Sequence, residues 1–189
     1  MVKIGFICEG ETEKLIVESP VFQNLISEFG LVCIDDVIDA GGNGNLLPQN
    51  IEQFQLRLLN LGAQKIFILT DLDVNSCITL TRTRITERPD QIIIVSVKQI
   101  ESWFLADSFA LNLICQTDFS FCRHEQELNP FETIRQQLFD LTGRGIHKRS
   151  KLILAKRFLN AGFSIRNAAA HPNCPSARYF LNKLTEFAQ

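Results

Sequence analysis

Val2-Lys3-Ile4-Gly5-Phe6-Ile7-Cys8-Glu9-Gly10-Glu11-Thr12-Glu13 changes character at its midpoint, and that change decides the fold. Val2 to Cys8 is a β-rich run that ends at Glu9-Gly10. Beyond it Leu15, Ile16, Phe22, Leu25, Ile26 and Phe29 keep helical spacing as far as Gly30, a suitable C-terminal stop. Pro20 lies inside that run, so the helix must bend or restart there.

The pattern repeats outward from this unit. Leu31 to Ile38 reads as a second strand. Gly41-Gly42-Asn43-Gly44-Asn45 reads as a mobile connector, too rich in glycine for regular structure. A helix from about Pro48 carries Ile51, Phe54, Leu58 and Leu61 on one face, with Gly62 at its end. Lys65 to Thr70 is a third strand running into Asp71-Leu72-Asp73, and Gln91 to Val97 a fourth running into Glu101. Strands alternating with helices predict an α/β fold, a mostly parallel sheet of about four strands flanked by helices. From Glu101 onward the periodicity is helical: Ser102 to Ile114, Phe131 to Leu141, Lys151 to Leu159 and Ser176 to Phe187. The division this predicts is an α/β core over 1–114 and a C-terminal helical extension over 115–189, packed together as one structural unit.

Composition bounds the rest. A chain of 189 residues, 46% hydrophobic, buries about 70% of its unfolded surface and needs no disulfide or metal staple. No apolar run approaches the roughly 20 residues of a membrane span, and no secretory leader precedes the first strand, so a cytoplasmic location is expected. Six cysteines without a CxxC pair read as reduced core residues. The formal charge of −2 hides an asymmetry. Residues 1–100 hold 8 basic and 13 acidic side chains, whereas 141–185 hold nine Lys/Arg and no Asp or Glu. Charge sorted this way predicts a local anion-binding face on a nearly neutral protein.

Three of the four predicted strands end in acids: Glu9, then Asp71 and Asp73, then Glu101. Ligands of open parallel sheets bind outside the carboxyl ends of the strands, where these groups would converge. Glu13 lies one helical turn beyond Glu9. Clustered carboxylates repel unless protonated or neutralised, and a hard oxygen-seeking cation provides that neutralisation. Mg²⁺ or Mn²⁺ is therefore expected, as one or two ions held by Glu9, Glu13, Asp71, Asp73 and Glu101. A pair of ions about 4 Å apart would stabilise both oxygens of a phosphoryl transfer. The competing account is that Asp and Glu favour strand-ending turns and helix N-termini for local reasons.

The Glu9-Gly10-Glu11-Thr12-Glu13 and Asp71-Leu72-Asp73 motifs, each at a strand end, resemble the TOPRIM fold, a Rossmann-like domain shared by topoisomerase-primase domains and OLD-type nucleases. The first motif is similar to the OLD-type branch. Gln99-Ile100-Glu101-Ser102-Trp103-Phe104-Leu105-Ala106-Asp107 and Cys174-Pro175-Ser176-Ala177-Arg178-Tyr179-Phe180-Leu181 resemble a small stand-alone TOPRIM-like family of unknown function. The resemblance implies Glu9 as metal ligand or general base, Asp71 and Asp73 as ligands, and Glu13 and Glu101 as ligands of a second ion. It also implies a catalytic lysine outside the acidic cluster, a place that either Lys148 or Lys151 fills by position. No GxxxxGK[ST] loop occurs, so an ATPase acting with this chain, or a defence-system partner, would be a separate protein.

Arg144, His147, Lys148, Arg149 and Lys151, interleaved with Gly143 and Gly145, suit contact with substrate phosphates, although a solvated loop leading into a helix explains them equally well. His124, His147 and His171 lack metal-ligand spacing and read as surface or capping residues. Trp103 and the fifteen Phe read as packing. The function expected is a metal-dependent nuclease acting on DNA or RNA, in a defence or nucleic-acid-processing system. Two rivals stand beside it. Asp71-Leu72-Asp73-Val74 resembles the nucleophile and acid of haloacid-dehalogenase-like phosphatases, and the fold would also serve a non-catalytic module that recruits a separate ATPase or effector.

Overall fold

A computed structural model describes residues 1–85, 88–118, 120–122, 124–147 and 150–188. Strands β1 (Val2–Cys8), β2 (Leu31–Cys33), β3 (Ile38–Asp39), β4 (Lys65–Asp71) and β5 (Gln91–Ser96) form one sheet in the order β2-β1-β4-β5, with β3 also on β1. Every pairing is parallel. The expected α/β architecture is therefore present, with five strands in place of about four. The extra strand comes from splitting the stretch read as Leu31 to Ile38. After Ile34 bonds Ile4, Asp35 and Asp36 turn outward, Asp36 onto Arg57, and pairing with β1 resumes only at Ile38.

Helices α1 (Glu11–Glu18) and α2 (Pro20–Glu28) are the predicted restart at Pro20. Ser19 serves both: its N–H bonds Ile16 at 3.2 Å to close α1, and its hydroxyl accepts from Phe22 N–H to open α2. Proline suits the first turn of α2 because that position has no carbonyl to bond. Helix α3 (Pro48–Asn60) crosses the other face of the sheet. There Gly5 is required by close approach, since a Cβ at this position would lie 2.9 Å from Leu58 Cδ1. A short helix α4 (Ile78–Ile85), without clear amphipathic periodicity in sequence, links β4 to β5.

The run expected as one helix from Ser102 to Ile114 is two, α5 (Glu101–Ala106) and α6 (Ser108–Cys115). Asp107 separates them. Its fully buried carboxylate accepts from the N–H groups of Ala110 and Ser164 and from Asn167. Helices α7 (Pro130–Thr142), α8 (Lys151–Asn160), α9 (Ile165–Ala170) and α10 (Pro175–Thr185) complete the chain.

Alternation along the strands divides the apolar side chains. Ile4, Phe6, Phe67 and Leu69 face one cluster, and Ile7, Ile66 and Ile68 the other. The first cluster runs unbroken from β1 to Leu184 of α10, so the helical extension and the sheet share a core. Phe180 stacks on Phe22 and on Trp103 at 5.7 and 5.8 Å. Trp103, wholly buried as expected, donates its Nε1–H to Ser176 Oγ at 2.7 Å. Each such side chain contributes about 1.5–3 kcal/mol relative to exposure. All six cysteines are free. Among the described residues no helix is long and apolar enough to cross a membrane.

Candidate active site

Parallel pairing puts the carboxyl ends of β1, β3, β4 and β5 along one edge of the sheet, and the acids that follow them gather there. A cleft of about 370 Å³ is lined by Glu9, Glu13, Asp39, Asp71, Glu101 and Lys151, with Gly41 and Gly42 on its rim.

Backbone geometry holds each group in place. Glu9 Oε2 accepts from Thr70 Oγ1 at 2.5 Å and from the Asp71 N–H at 3.1 Å, which ties the end of β1 to the end of β4. Asp71 Oδ1 accepts from Ser96 Oγ at 2.5 Å and from Ile100 N–H at 2.8 Å, which ties β4 to β5. Glu13 Oε2 accepts the Gly10 N–H at 3.2 Å and so closes the start of α1. Local capping thus accounts for part of the Glu13 position, but a cap needs no burial, and this residue is only 5% exposed. Glu101 is fully buried and meets Lys151 Nζ at 3.3 Å.

The electrostatics follow from this crowding. Burial, then the Glu101 and Glu9 carboxylates, push Glu13 up to about 8, against the pull of its backbone hydrogen bond. Asp71 is raised well above the usual carboxylate range by burial and by Glu13 and Glu101, with Ser96 opposing. Burial works against the Lys151 ammonium, but Glu101 and Asp71 outweigh it and hold its pKa above the ordinary lysine value. Among the described residues one lysine faces several carboxylates, an arrangement that further positive charge or protons would relieve.

Not every expected ligand enters. Asp73 does not line the cleft. Its φ of 50° and that of Lys98, 64°, are left-handed, and Asp73 N–H bonds Lys98 carbonyl at 2.7 Å, so the chain turns away past the end of β5. Of the residues expected at substrate phosphates, Lys151 alone lines the cleft among those described. Arg144 and His147 are exposed outside it, and Lys148 and Arg149 lie outside the described residues. His124 is not a surface residue: it is fully buried, with Nε2 2.9 Å from His171 Nδ1.

Asp39 was not singled out by sequence because its strand is two residues long. The signal was present, however, as an acid at a strand end directly before a glycine-rich turn. That turn is no mobile connector. Asp39 Oδ1 accepts the Gly41 N–H, Gly42 (φ 121°) donates to the Glu9 carbonyl at 2.7 Å, and 43–46 forms a 3₁₀ turn.

Among the described residues no three His, Cys, Asp or Glu side chains already close on a common metal position. The donor chemistry nevertheless fits a hard cation. All the candidate donors are carboxylate oxygens, and buried Glu101 Oε1 makes no hydrogen bond, its one charged neighbour being the Lys151 ammonium at 3.3 Å. Mg²⁺ is commonly held by one or two carboxylates together with waters and substrate phosphates, which this cleft can supply without a closed cage.

No family model and no curated protein sequence matches this chain. Among solved structures, the chain is similar to the C-terminal region of the Burkholderia pseudomallei OLD protein, with 16% identity, a TM-score of 0.45, and coverage of 98% of this chain and 99% of that one.

Proposed function

We propose that this chain is a metal-dependent phosphodiester hydrolase acting on nucleic acid. The observation that carries the reading is the convergence of Glu9, Glu13, Asp71 and Glu101 with Lys151 in one open cleft at the carboxyl ends of parallel strands. Glu9 and Asp71 would hold Mg²⁺ or Mn²⁺, with Glu13 and Glu101 available to a second ion. A bound divalent cation supplies neutralisation of the phosphate and acidification of water. The chain's own groups do the rest. Thr70 and Ser96 fix the carboxylate oxygens, so little reorganisation is needed when a phosphate arrives. Lys151 stands partly exposed beside Glu101, placed to donate to a phosphate oxygen as charge develops there.

The test is cleavage of single- and double-stranded DNA and RNA by purified protein with Mg²⁺ or Mn²⁺, beside Asp71→Ala. Metal-dependent cleavage lost in the variant is expected, and cleavage that survives Asp71→Ala overturns the assignment. Hydrolysis of a small chromogenic phosphomonoester without nuclease activity would instead favour the phosphatase chemistry, which requires Asp73 as acid although that residue lies outside the cleft. Failure to bind either metal at millimolar concentration would favour a non-catalytic module.

A further inference from the structure

Glu101 and Lys151 open two different helices, α5 and α8, yet they meet inside the cleft. The Glu101 side chain is fully buried, and the partly exposed Lys151 places its ammonium 3.3 Å from Oε1 and 3.4 Å from Oε2. Among the described residues no other group donates to this carboxylate or pairs with its charge. Glu9 and Asp71 differ. Each gives one oxygen to the protein: Glu9 Oε2 accepts from Thr70 and from the Asp71 N–H, and Asp71 Oδ1 from Ser96 and from the Ile100 N–H. The other oxygen of each, Glu9 Oε1 and Asp71 Oδ2, accepts no hydrogen bond among the described residues and, unlike Glu101 Oε1, is not sealed in the interior. Neither residue is ion-paired among the described residues. Open carboxylate oxygens therefore lie at the ends of β1 and β4, whereas Glu101 already has its cation.

We propose that the Lys151 ammonium takes the place of a second divalent ion, so that the cleft binds one Mg²⁺ or Mn²⁺ and carries its second positive charge on the chain itself. This rests on the metal reading of the cleft and narrows it: Glu101 is open to an ion only when Lys151 leaves it. Breaking a buried ion pair by removing one partner strands a charge in the interior, at large cost. A second ion would have to displace an ammonium from a fully buried carboxylate, and what it gains at Glu101 is offset by the pair it breaks. Asp73, expected from the sequence among the ligands, does not make up the difference, because it turns away from the cleft. Charge developing on a phosphate can be met by a preset side-chain cation as well as by a metal.

The test is the number of Mn²⁺ ions bound per chain, counted by the electron paramagnetic resonance of free Mn²⁺ in titrations to millimolar concentration. The whole wild-type chain is compared with Lys151→Met, Glu101→Gln and the double variant. One ion in wild type, two in Lys151→Met, where Glu101 has lost its counter-charge, and one again in the double variant are expected. Glu101→Gln reads the same point should Lys151→Met fail to fold: it should still bind one ion. Two ions in wild type, a folded Lys151→Met that binds one, a second ion that persists in the double variant, or no ion in Glu101→Gln overturns the inference and leaves the metal reading standing. No ion bound by wild type overturns both.

Discussion

The cleft and the basic stretch 141–185 are both concentrations of one charge in the sequence, yet the fold treats them in opposite ways. In the cleft, carboxylates from three strand ends and the first turns of two helices are pressed together, with Lys151 among them. In the basic stretch the charges are dispersed and several are met singly: Arg166 by Glu28 at 2.6 Å, Lys183 by Glu186 at 2.7 Å, and Arg178 by the carbonyls of Ala169 and His171, while Arg144, Lys156 and Arg157 make no ion pair among the described residues. Lys151 leaves the stretch altogether and joins the acids. A charge paired locally reports little about ligands. Like charges gathered and buried without enough counter-charge carry a cost, and a ligand that removes it gains that much affinity.

The largest effect expected from this contrast is on catalysis. Asp71→Ala and Lys151→Met should each lower kcat by about 100-fold or more, whereas Asp73→Ala and Arg166→Ala should change it far less. Equal losses at Asp71 and Asp73, in single-turnover cleavage, would break the distinction between the residue inside the cleft and the one turned away.

Stability against pH should separate the cleft from the buried His124 by sign. Burial, then the neighbouring His171, lowers His124 to about 4 from an ordinary value near 6.5. The unfolded chain therefore binds a proton first, and the contribution of this histidine is present above pH 6.5 and lost as pH falls toward 4, by about 3 kcal/mol. Thermal unfolding of the wild type should show this acid-side loss and His124→Asn a smaller one; equal slopes would contradict it.

Glu13 works in the opposite direction. Its folded pKa of about 8 exceeds the ordinary 4.5, so its proton-linked stability is present below pH 4.5 and lost as pH rises through 8. A divalent cation takes the place of the proton. Mg²⁺ at ten times its dissociation constant should stabilise by about 1.4 kcal/mol, with the larger rise in Tm at pH 8 rather than pH 5. The same Mg²⁺ shift at both pH values would remove Glu13 from the site. The smallest effect belongs to the dispersed charges: Arg166→Ala breaks an exposed pair and should cost under about 1 kcal/mol by chemical denaturation.

What the sequence disclosed follows the same division. Strands β1, β4 and β5 and the acids at their ends were legible, because a long buried strand writes a dense apolar run and its terminus is marked by the first charge. Two-residue β3 is too short to write a pattern, so Asp39 and the packed glycine turn went unread. Asp73 shares its motif with Asp71, and only the left-handed backbone at Asp73 and Lys98 parts them. The burial of His124 rests on a partner 47 residues away, which no local period records. Charge sorting along the chain was visible, but not its neutralisation by Glu28 or Glu101 from distant segments.

The most direct measurement is anomalous diffraction from a crystal soaked in Mn²⁺. The account predicts a manganese peak in the cleft, bonded by Glu9 and Asp71 and lost in Asp71→Ala. Soaked crystals with no peak in the cleft, or with manganese only elsewhere on the chain, would contradict it.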